Sequence, residues 1–117
     1  MEHLSKLKDA QGDLVLVPFP FSNLNELKVR PALIISNNFF NLKNRDFILL
    51  PLTSVLKQEA FFIKIGQKDL VSGKLVKPSV IKLNKVFSLE KSKILSVIGK
   101  LDKRIFNKVK KEFYRMV

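Results

Sequence analysis

The sequence predicts a mainly β domain, a small and strongly bent β-barrel with one helix packed against it. Three observations support this fold class: short apolar runs recur along the chain, turn-forming residues separate them, and helical spacing of apolar side chains is confined to the C-terminal segment. The chain has 117 residues, of which 46% are hydrophobic and 27% are charged. We therefore expect a single globular domain over residues 1 to 117.

The first half of the chain contains three strand candidates. LVLV at 14 to 17 follows a Gly-Asp turn signal, ALIIS at 32 to 36 is continuously apolar, and DFILLPLTS at 46 to 54 is expected to be central because it is apolar on both faces. Residues 18 to 30 are predicted to form a long loop, since they include two prolines and two asparagines. Residues 37 to 45 are turn-rich and predict one short helical turn.

The second half predicts further short strands. Pro51 interrupts the third apolar run, so a bulge or a strand end is expected nearby. AFFIKI at 60 to 65 reads as a strand, and residues 66 to 78 are predicted to be a loop with two glycines. SVIKLNKVF at 79 to 87 alternates as a strand does, and KILSVI at 93 to 98 predicts either another short strand or the approach to the last element.

The C-terminal helix is predicted over about residues 102 to 116. Gly99 is expected to end the preceding segment, and Asp102 is suited to be the N-cap. One apolar stripe, with spacings of 4, 4 and 3 residues, is expected to contact the core. It consists of Ile105, Val109, Phe113 and Met116.

Charge is the strongest global signal in the composition. The chain has 22 basic and 10 acidic residues, a net charge of +12. Residues 1 to 56 contain 6 basic and 5 acidic residues, whereas residues 57 to 117 contain 16 and 5. Such an excess attracts RNA, DNA, an acidic protein or an anionic membrane surface. The alternative is a highly soluble, lysine-rich protein whose charge serves no partner.

The residue inventory excludes several kinds of chemistry. There is no cysteine, which rules out disulfides and thiol nucleophiles and fits a reducing cytoplasm. The one histidine, His3, is close to the N-terminus, and the ten carboxylates show no close pair suited to Mg²⁺. No signal peptide, membrane-length apolar run or nucleotide-binding glycine motif is present. We therefore expect a cytoplasmic protein without a membrane segment, metal or cofactor.

The remaining polar side chains suit one reaction that needs no metal. RNA carries its own nucleophile, the 2′-hydroxyl, so the protein has to align it with the phosphorus and stabilise the added negative charge. An arginine fork can bind two phosphate oxygens, and a hydroxyl can hold the phosphate in register. A metal-free ribonuclease is compatible with these residue types.

Five segments, in this order along the chain, resemble the MazF/PemK family of toxins from type II toxin–antitoxin systems. They are GDLVLVPFPF (12 to 21), KVRPALIIS (28 to 36), ILLPLTS (48 to 54), KPSVIKLNKVFSLEKSKI (77 to 94) and IGKLDKRIFNKVKKEF (98 to 113). The resemblance implies an SH3-like barrel with a C-terminal helix, usually a homodimer. It also implies an mRNA interferase that cuts single-stranded RNA at short sequences without metal, leaving 2′,3′-cyclic phosphate and 5′-hydroxyl ends. A cognate acidic antitoxin would cover the active groove.

The resemblance also assigns roles to residues of this chain. Arg30 matches the arginine of the family's Arg-Pro pair and would stabilise the phosphorane. Thr53, at the end of the central strand, would orient the scissile phosphate, with Ser54 beside it. One branch of the family has an Arg-x-Asp where this chain has Lys82 and Asn84. Asn84 cannot act as a general base, so we expect Arg30 and Thr53 to be catalytic and Lys82 to contact phosphate.

Other residues are weaker candidates for RNA binding. Lys82 and Asn84 are expected to share one strand face, and Lys28 would add to the positive field near Arg30. Phe21 is a candidate for stacking on bases, although phenylalanines in such a loop more often pack on the core or at a dimer contact. We expect the loop over 18 to 30 to act as a gate.

A non-catalytic function of the same fold is the alternative hypothesis. It would be a gyrase-poisoning toxin, or a module that binds RNA or an acidic protein without cleaving anything. Asn84, which replaces a carboxylate, is the feature that favours this alternative.

Overall fold

The structure is a computed structural model, and it describes residues 10–20 and 27–117. These residues form eight β-strands, two α-helices and three short 3₁₀ turns. The strands are β1 (Asp13–Pro20), β2 (Leu27–Ile34), β3 (Asp46–Thr53), β4 (Phe62–Ile65), β5 (Leu70–Gly73), β6 (Ser79–Lys82), β7 (Phe87–Glu90) and β8 (Ser96–Leu101). The helices are α1 (Asn38–Lys43) and α2 (Lys103–Tyr114), and the turns are Gln67–Asp69, Leu83–Lys85 and Lys91–Lys93.

The strands form one curled antiparallel sheet with β3 near its middle. Its order is β4-β6-β3-β2-β1-β8-β5, and β7 pairs with β3 outside this path. Along one edge, β3 pairs first with β7 and then with β6. Because a strand that changes partner must bend away from the first one, the sheet curls into a half-barrel. The predicted mainly β, barrel-like fold with a C-terminal helix is confirmed.

The hairpin of β1 and β2 is longer than the sequence predicts. Residues 18–20 and 27–30, expected to be loop, are paired strand residues, and 21–26 lie outside the described residues. The carbonyl of Leu16 accepts the N–H of Leu95 on the β8 side. By alternation the backbone nitrogens of Pro18 and Pro20 point to the same side as this carbonyl, beyond the start of β8. Their missing N–H groups therefore cost no ladder hydrogen bond, which is why the prolines do not end the strand.

Pro51 lies where β3 changes its partner. It is opposite Ala32 of β2, and the flanking residues Leu49 and Leu52 pair with β7 and β6 respectively. The proline therefore lies at a position where neither β7 nor β6 requires an N–H donor. β3 continues to Thr53 and ends two residues after Pro51, so the expected nearby strand end is confirmed.

Alternate side chains of the central strands supply two hydrophobic clusters on opposite faces of the sheet. The first cluster includes Leu33 and Leu50, and α2 adds Phe106 and Val109 to it. The second cluster, on the other face, is smaller and lies beneath β7. Its buried members are Ala10, Val15, Val17, Ala32, Ile34, Phe47, Leu49 and Ile94.

The predicted C-terminal helix is confirmed. The side chain of Asp102 caps α2 by accepting a hydrogen bond from the backbone N–H of Arg104, at 2.8 Å. Val109 is fully buried, and the rest of the predicted stripe packs partly buried against the first cluster. Phe106 is a further buried contact that the stripe did not include. Neither helix in residues 10–20 and 27–117 is long and apolar enough to cross a membrane.

Two glycines allow β5 and β8 to lie close together. Gly73 is opposite Gly99, and a Cβ on Gly73, where φ is +83°, would lie 2.1 Å from the carbonyl oxygen of Ile98. The prediction of a loop over residues 66 to 78 is therefore wrong for residues 67–73, which form a 3₁₀ turn and β5, and holds for 66 and 74–78; the predicted break at Gly99 is wrong. Here the glycines permit close backbone approach within a sheet and do not mark turns.

Candidate functional site

A groove of about 590 Å³ lies at the open end of the second cluster. We call it the first groove. The last residues of β1, the middle of β2, the end of β3, the turn after β6 and the start of β7 surround it. Its lining residues are Pro18, Phe19, Arg30, Pro51, Leu52, Thr53, Lys82, Lys85, Phe87, Ser88 and Leu89.

Arg30 reaches this groove because of strand alternation. Ala32 and Ile34 belong to the second cluster, so Arg30, two residues before Ala32 in β2, points to the same face. The backbone of Arg30 is fixed opposite Val17 of β1. The residue is half-buried and is one of the lining residues of the groove.

Thr53 reaches the same groove from β3. Leu49 and Pro51 precede it at period-two spacing on this face, and its backbone pairs with Val80 of β6. The Oγ1 atom accepts the backbone N–H of Val55 at 3.2 Å. With that acceptor site used, the hydroxyl hydrogen is available to donate to a ligand in the groove.

Two lysines complete the cationic side of the first groove. Lys82 is the last residue of β6, and its ammonium lies 5.7 Å from the centroid of the Phe62 ring. The chain then turns into the 3₁₀ segment Leu83–Lys85, in which residues three apart lie on the same side. Lys85 therefore lines the groove with Lys82, and Asn84 is exposed outside it.

The predicted common face of Lys82 and Asn84 is thus wrong, because the strand period stops at Lys82. Two lining residues were not predicted from the sequence: Lys85, and Ser88, which reaches the groove from β7. A three-residue spacing of lysines is the signal that would have found Lys85, provided that a turn had been predicted there.

The remaining candidates lie elsewhere. Ser54 is exposed and lines a second, smaller groove, which is described below. Lys28 is exposed on β2 and is not among the lining residues of either groove. Phe21 lies outside the described residues. Its neighbour Phe19 packs on the second cluster, edge to face with Phe87 at a centroid distance of 5.1 Å.

The first groove is suited to an anion attached to an apolar group. Arg30, Lys82 and Lys85 provide three cations, and Thr53 and Ser88 provide hydroxyls. None of the described residues that line it is acidic or a histidine. In residues 10–20 and 27–117, no three His, Cys, Asp or Glu side chains are grouped so that they could hold a metal ion. A phosphodiester with an attached base matches this combination of charge and apolar wall.

Comparison with protein families gives a match over residues 10–117 to the model described as PemK-like, MazF-like toxin of type II toxin–antitoxin systems. The chain belongs to this toxin family. The resemblance seen in the sequence is therefore confirmed for nearly the whole length of this PemK/MazF-like toxin. A comparison with curated protein sequences found no match.

Solved structures show the same fold. An endoribonuclease in complex with its cognate antitoxin, from a mycobacterial species, superposes with a TM-score of 0.72 at 18% identity, over 90% of each chain. The Mycobacterium tuberculosis toxin MazF-mt6 gives 0.71 at 16% identity, over 88% of this chain and 93% of its own. MazF from a Deinococcus radiodurans MazE–MazF complex gives 0.71 at 22% identity, over 91% and 92%. At these identities the likeness establishes the fold of the PemK/MazF-like toxin.

Proposed function

We propose that this PemK/MazF-like toxin is a metal-independent endoribonuclease that cleaves single-stranded mRNA in the first groove. The observation that carries the proposal is the meeting of Arg30, Thr53 and Lys82 in one cleft, although they lie on three different strands. Two further facts support it. The family is one of toxins, and a mycobacterial structure of the same fold is named an endoribonuclease.

The proposed reaction uses the 2′-hydroxyl of the RNA as its nucleophile. This oxygen attacks the adjacent phosphorus, the bond from phosphorus to the 5′-oxygen breaks, and the products are a 2′,3′-cyclic phosphate and a 5′-hydroxyl. Water accepts the proton of the 2′-hydroxyl and supplies the proton that the 5′-oxygen gains, since none of the described lining residues is a carboxylate or an imidazole. The protein has to hold the attacking oxygen in line with the leaving oxygen and stabilise the extra charge of the phosphorane.

Each polar residue of the groove has its own role in the proposed reaction. The guanidinium of Arg30 can donate two parallel hydrogen bonds to non-bridging phosphate oxygens, and we assign to it the stabilisation of the phosphorane. The hydroxyl of Thr53 donates to the phosphate and fixes its position. Lys82 and Lys85 contact the same or a neighbouring phosphate. The apolar walls strengthen these interactions, because they lower the local dielectric constant.

The same groove is proposed to bind the antitoxin. The mycobacterial endoribonuclease of the same fold was solved in complex with its cognate antitoxin, and a Deinococcus radiodurans structure of this fold is of MazE–MazF. An acidic segment would compete with RNA for Arg30 and the two lysines, and the net charge of +12 would speed its association. We further propose a homodimer acting in the cytoplasm, where its mRNA substrate is located.

Binding without cleavage is the second candidate. The observation that favours it is the lack of a carboxylate or imidazole among the described lining residues, since those are the usual general bases. Such a protein would bind RNA, or would poison DNA gyrase, through the same groove.

The deciding experiment is cleavage of a long mRNA by purified protein in excess EDTA. We expect discrete cuts whose upstream fragments end in 2′,3′-cyclic phosphate and whose downstream fragments begin with 5′-hydroxyl. A 2′-deoxy nucleotide at a mapped site should abolish cutting there, since the nucleophile is missing. Intact RNA across varied substrates contradicts the proposal, and topoisomerase-linked DNA breaks on expression would then support the gyrase alternative.

A further inference from the structure

A second groove, of about 290 Å³, adjoins the first. The walls are the middle of β2, the end of β3, the chain between β5 and β6, and part of β8. Its lining residues are Leu16, Val29, Arg30, Pro31, Leu52, Ser54, Lys74, Leu75, Val76, Lys77, Ser79 and Ile98. The family resemblance assigns no role to residues 74 to 77, and no local pattern in the sequence predicts this groove.

The two grooves meet where β2 and β3 separate. The ladder between these strands joins Ala32–Ile34 with Leu49–Pro51, and from Leu52 onward β3 pairs with β6. Arg30 and Leu52, just past the end of the ladder, line both grooves. The first groove opens on the face of the second cluster and the second groove on the face of the first cluster, and Arg30 and Leu52 lie at the boundary between them, where β2 and β3 separate.

The cations of the second groove are held in place by their backbone. The N–H of Lys74 donates to the carbonyl of Ile98 at 2.9 Å. The next residue, Leu75, is buried, and its N–H donates to Oε1 of Gln67 at 2.8 Å. At the other end, the Ser79 hydroxyl donates to the carbonyl of Lys77 at 3.0 Å. Lys74 and Lys77 thus project from a tethered segment.

The composition of the second groove resembles that of the first. Arg30, Lys74 and Lys77 are its charged lining residues, and all three are cations. Ser54 adds an exposed hydroxyl. The apolar wall includes exposed valines, with Val76 82% accessible, which is a contact surface for flat apolar groups such as bases.

We propose that single-stranded RNA held in the first groove continues over Arg30 into the second groove, where Lys74 and Lys77 bind phosphates that flank the scissile one. The identity of the ligand rests on the proposed function, whereas the path rests on the shared walls of the two grooves. These lysines contribute to affinity and to the minimum length of substrate. They are not among the lining residues of the first groove, so in this proposal they take no part in the chemical step.

Binding to RNA that cannot be cut tests the path directly. We compare wild type with Lys74→Ala/Lys77→Ala by fluorescence anisotropy on a fully 2′-O-methylated RNA. The matched control is Lys108→Ala/Lys111→Ala, which removes the same charge from exposed positions of α2. We expect about tenfold weaker binding at low salt for the groove variant, and a plot of log affinity against log salt that is shallower by about 1.4. Binding equal to that of the control overturns the proposal.

Kinetics separate this proposal from the proposed function. With a long substrate the groove variant should show a raised KM and an unchanged kcat, while a very short RNA that fills only the first groove should be cut as by wild type. If wild type cuts RNA and the groove variant has the same KM and kcat as the control on RNAs of every length, RNA does not bind in the second groove. The endoribonuclease proposal still stands in that case. If wild type does not cut RNA, the anisotropy measurement still decides the path. If Lys74→Ala/Lys77→Ala loses dimerisation or antitoxin binding but keeps its affinity for RNA, the second groove is a protein interface. That result also overturns the proposed RNA path.

Discussion

Replacement of Arg30 tests the proposed chemistry at its centre. Arg30→Ala removes both hydrogen bonds that the guanidinium can make to the phosphate, and Arg30→Lys keeps the charge but not the fork. The backbone of Arg30 is held by its pairing with Val17, and that pairing does not depend on the side chain. We therefore expect both variants to fold.

The expected size of the effect follows from the position of the side chain. A hydrogen bond between charged groups is worth about 1.5–3 kcal/mol, so two of them correspond to a loss of about 10²- to 10⁴-fold. Arg30 is half-buried, so water can partly replace the lost donors. We expect Arg30→Ala to lower kcat by about 10²- to 10³-fold, as removal of one oxyanion donor does elsewhere. Arg30→Lys should lose about 10- to 100-fold, since one hydrogen bond is kept.

The assay is single-turnover cleavage of a fluorescent RNA that contains one mapped site, with saturating enzyme in EDTA. Saturation separates the chemical step from binding. Arg104→Ala is the matched control, because it removes an exposed arginine from α2, on the face of the sheet away from the first groove. Thermal unfolding of each variant shows whether the fold is kept. If Arg30→Ala cuts within threefold of the control, the assignment of Arg30 to phosphorane stabilisation is wrong even though cleavage is real.

Two further predictions concern the stability of the fold, each measured by denaturant unfolding. Gly73→Ala should lower the free energy of unfolding by about 2–4 kcal/mol, because its Cβ would collide with the Ile98 carbonyl at a positive φ. Gly66→Ala is the control and should leave the free energy of unfolding unchanged, since its Cβ would meet no atom within 4 Å. If both variants lose the same free energy of unfolding, the close approach at Gly73 is not the cause. Asp102→Ala should cost about 1 kcal/mol through loss of the helix cap, and Asp102→Asn should be near neutral. A loss as large for asparagine as for alanine would show that the cap is not the cause.

Local patterns were sufficient for the C-terminal helix and the central strands. Asp102, followed by apolar residues at spacings of 4, 4 and 3, specifies a capped helix with one buried face, because both signals lie within a few residues of each other. The run from 46 to 54 is apolar on both faces, and it forms the strand with two clusters on its two sides.

Non-local pairing is where local patterns failed. Pro18 and Pro20 resemble loop residues until the structure places β2 beside them on one side and leaves their other side open, because β8 starts opposite Leu16. Gly73 and Gly99 resemble turn residues until their two strands are seen in contact. In each case the structural role of the residue depends on a partner strand that is remote in sequence.

The sequence by itself determined the charge excess, the family, the closing helix and the importance of Arg30 and Thr53 as candidates. Only the tertiary structure decided that these two side chains face one groove, that Lys85 and not Asn84 joins Lys82 there, and that a second groove begins at Arg30. The physical reason is register. Side-chain alternation can be read along one strand, but which residues of different strands meet depends on pairing, on the bend of β3 and on the turn after Lys82.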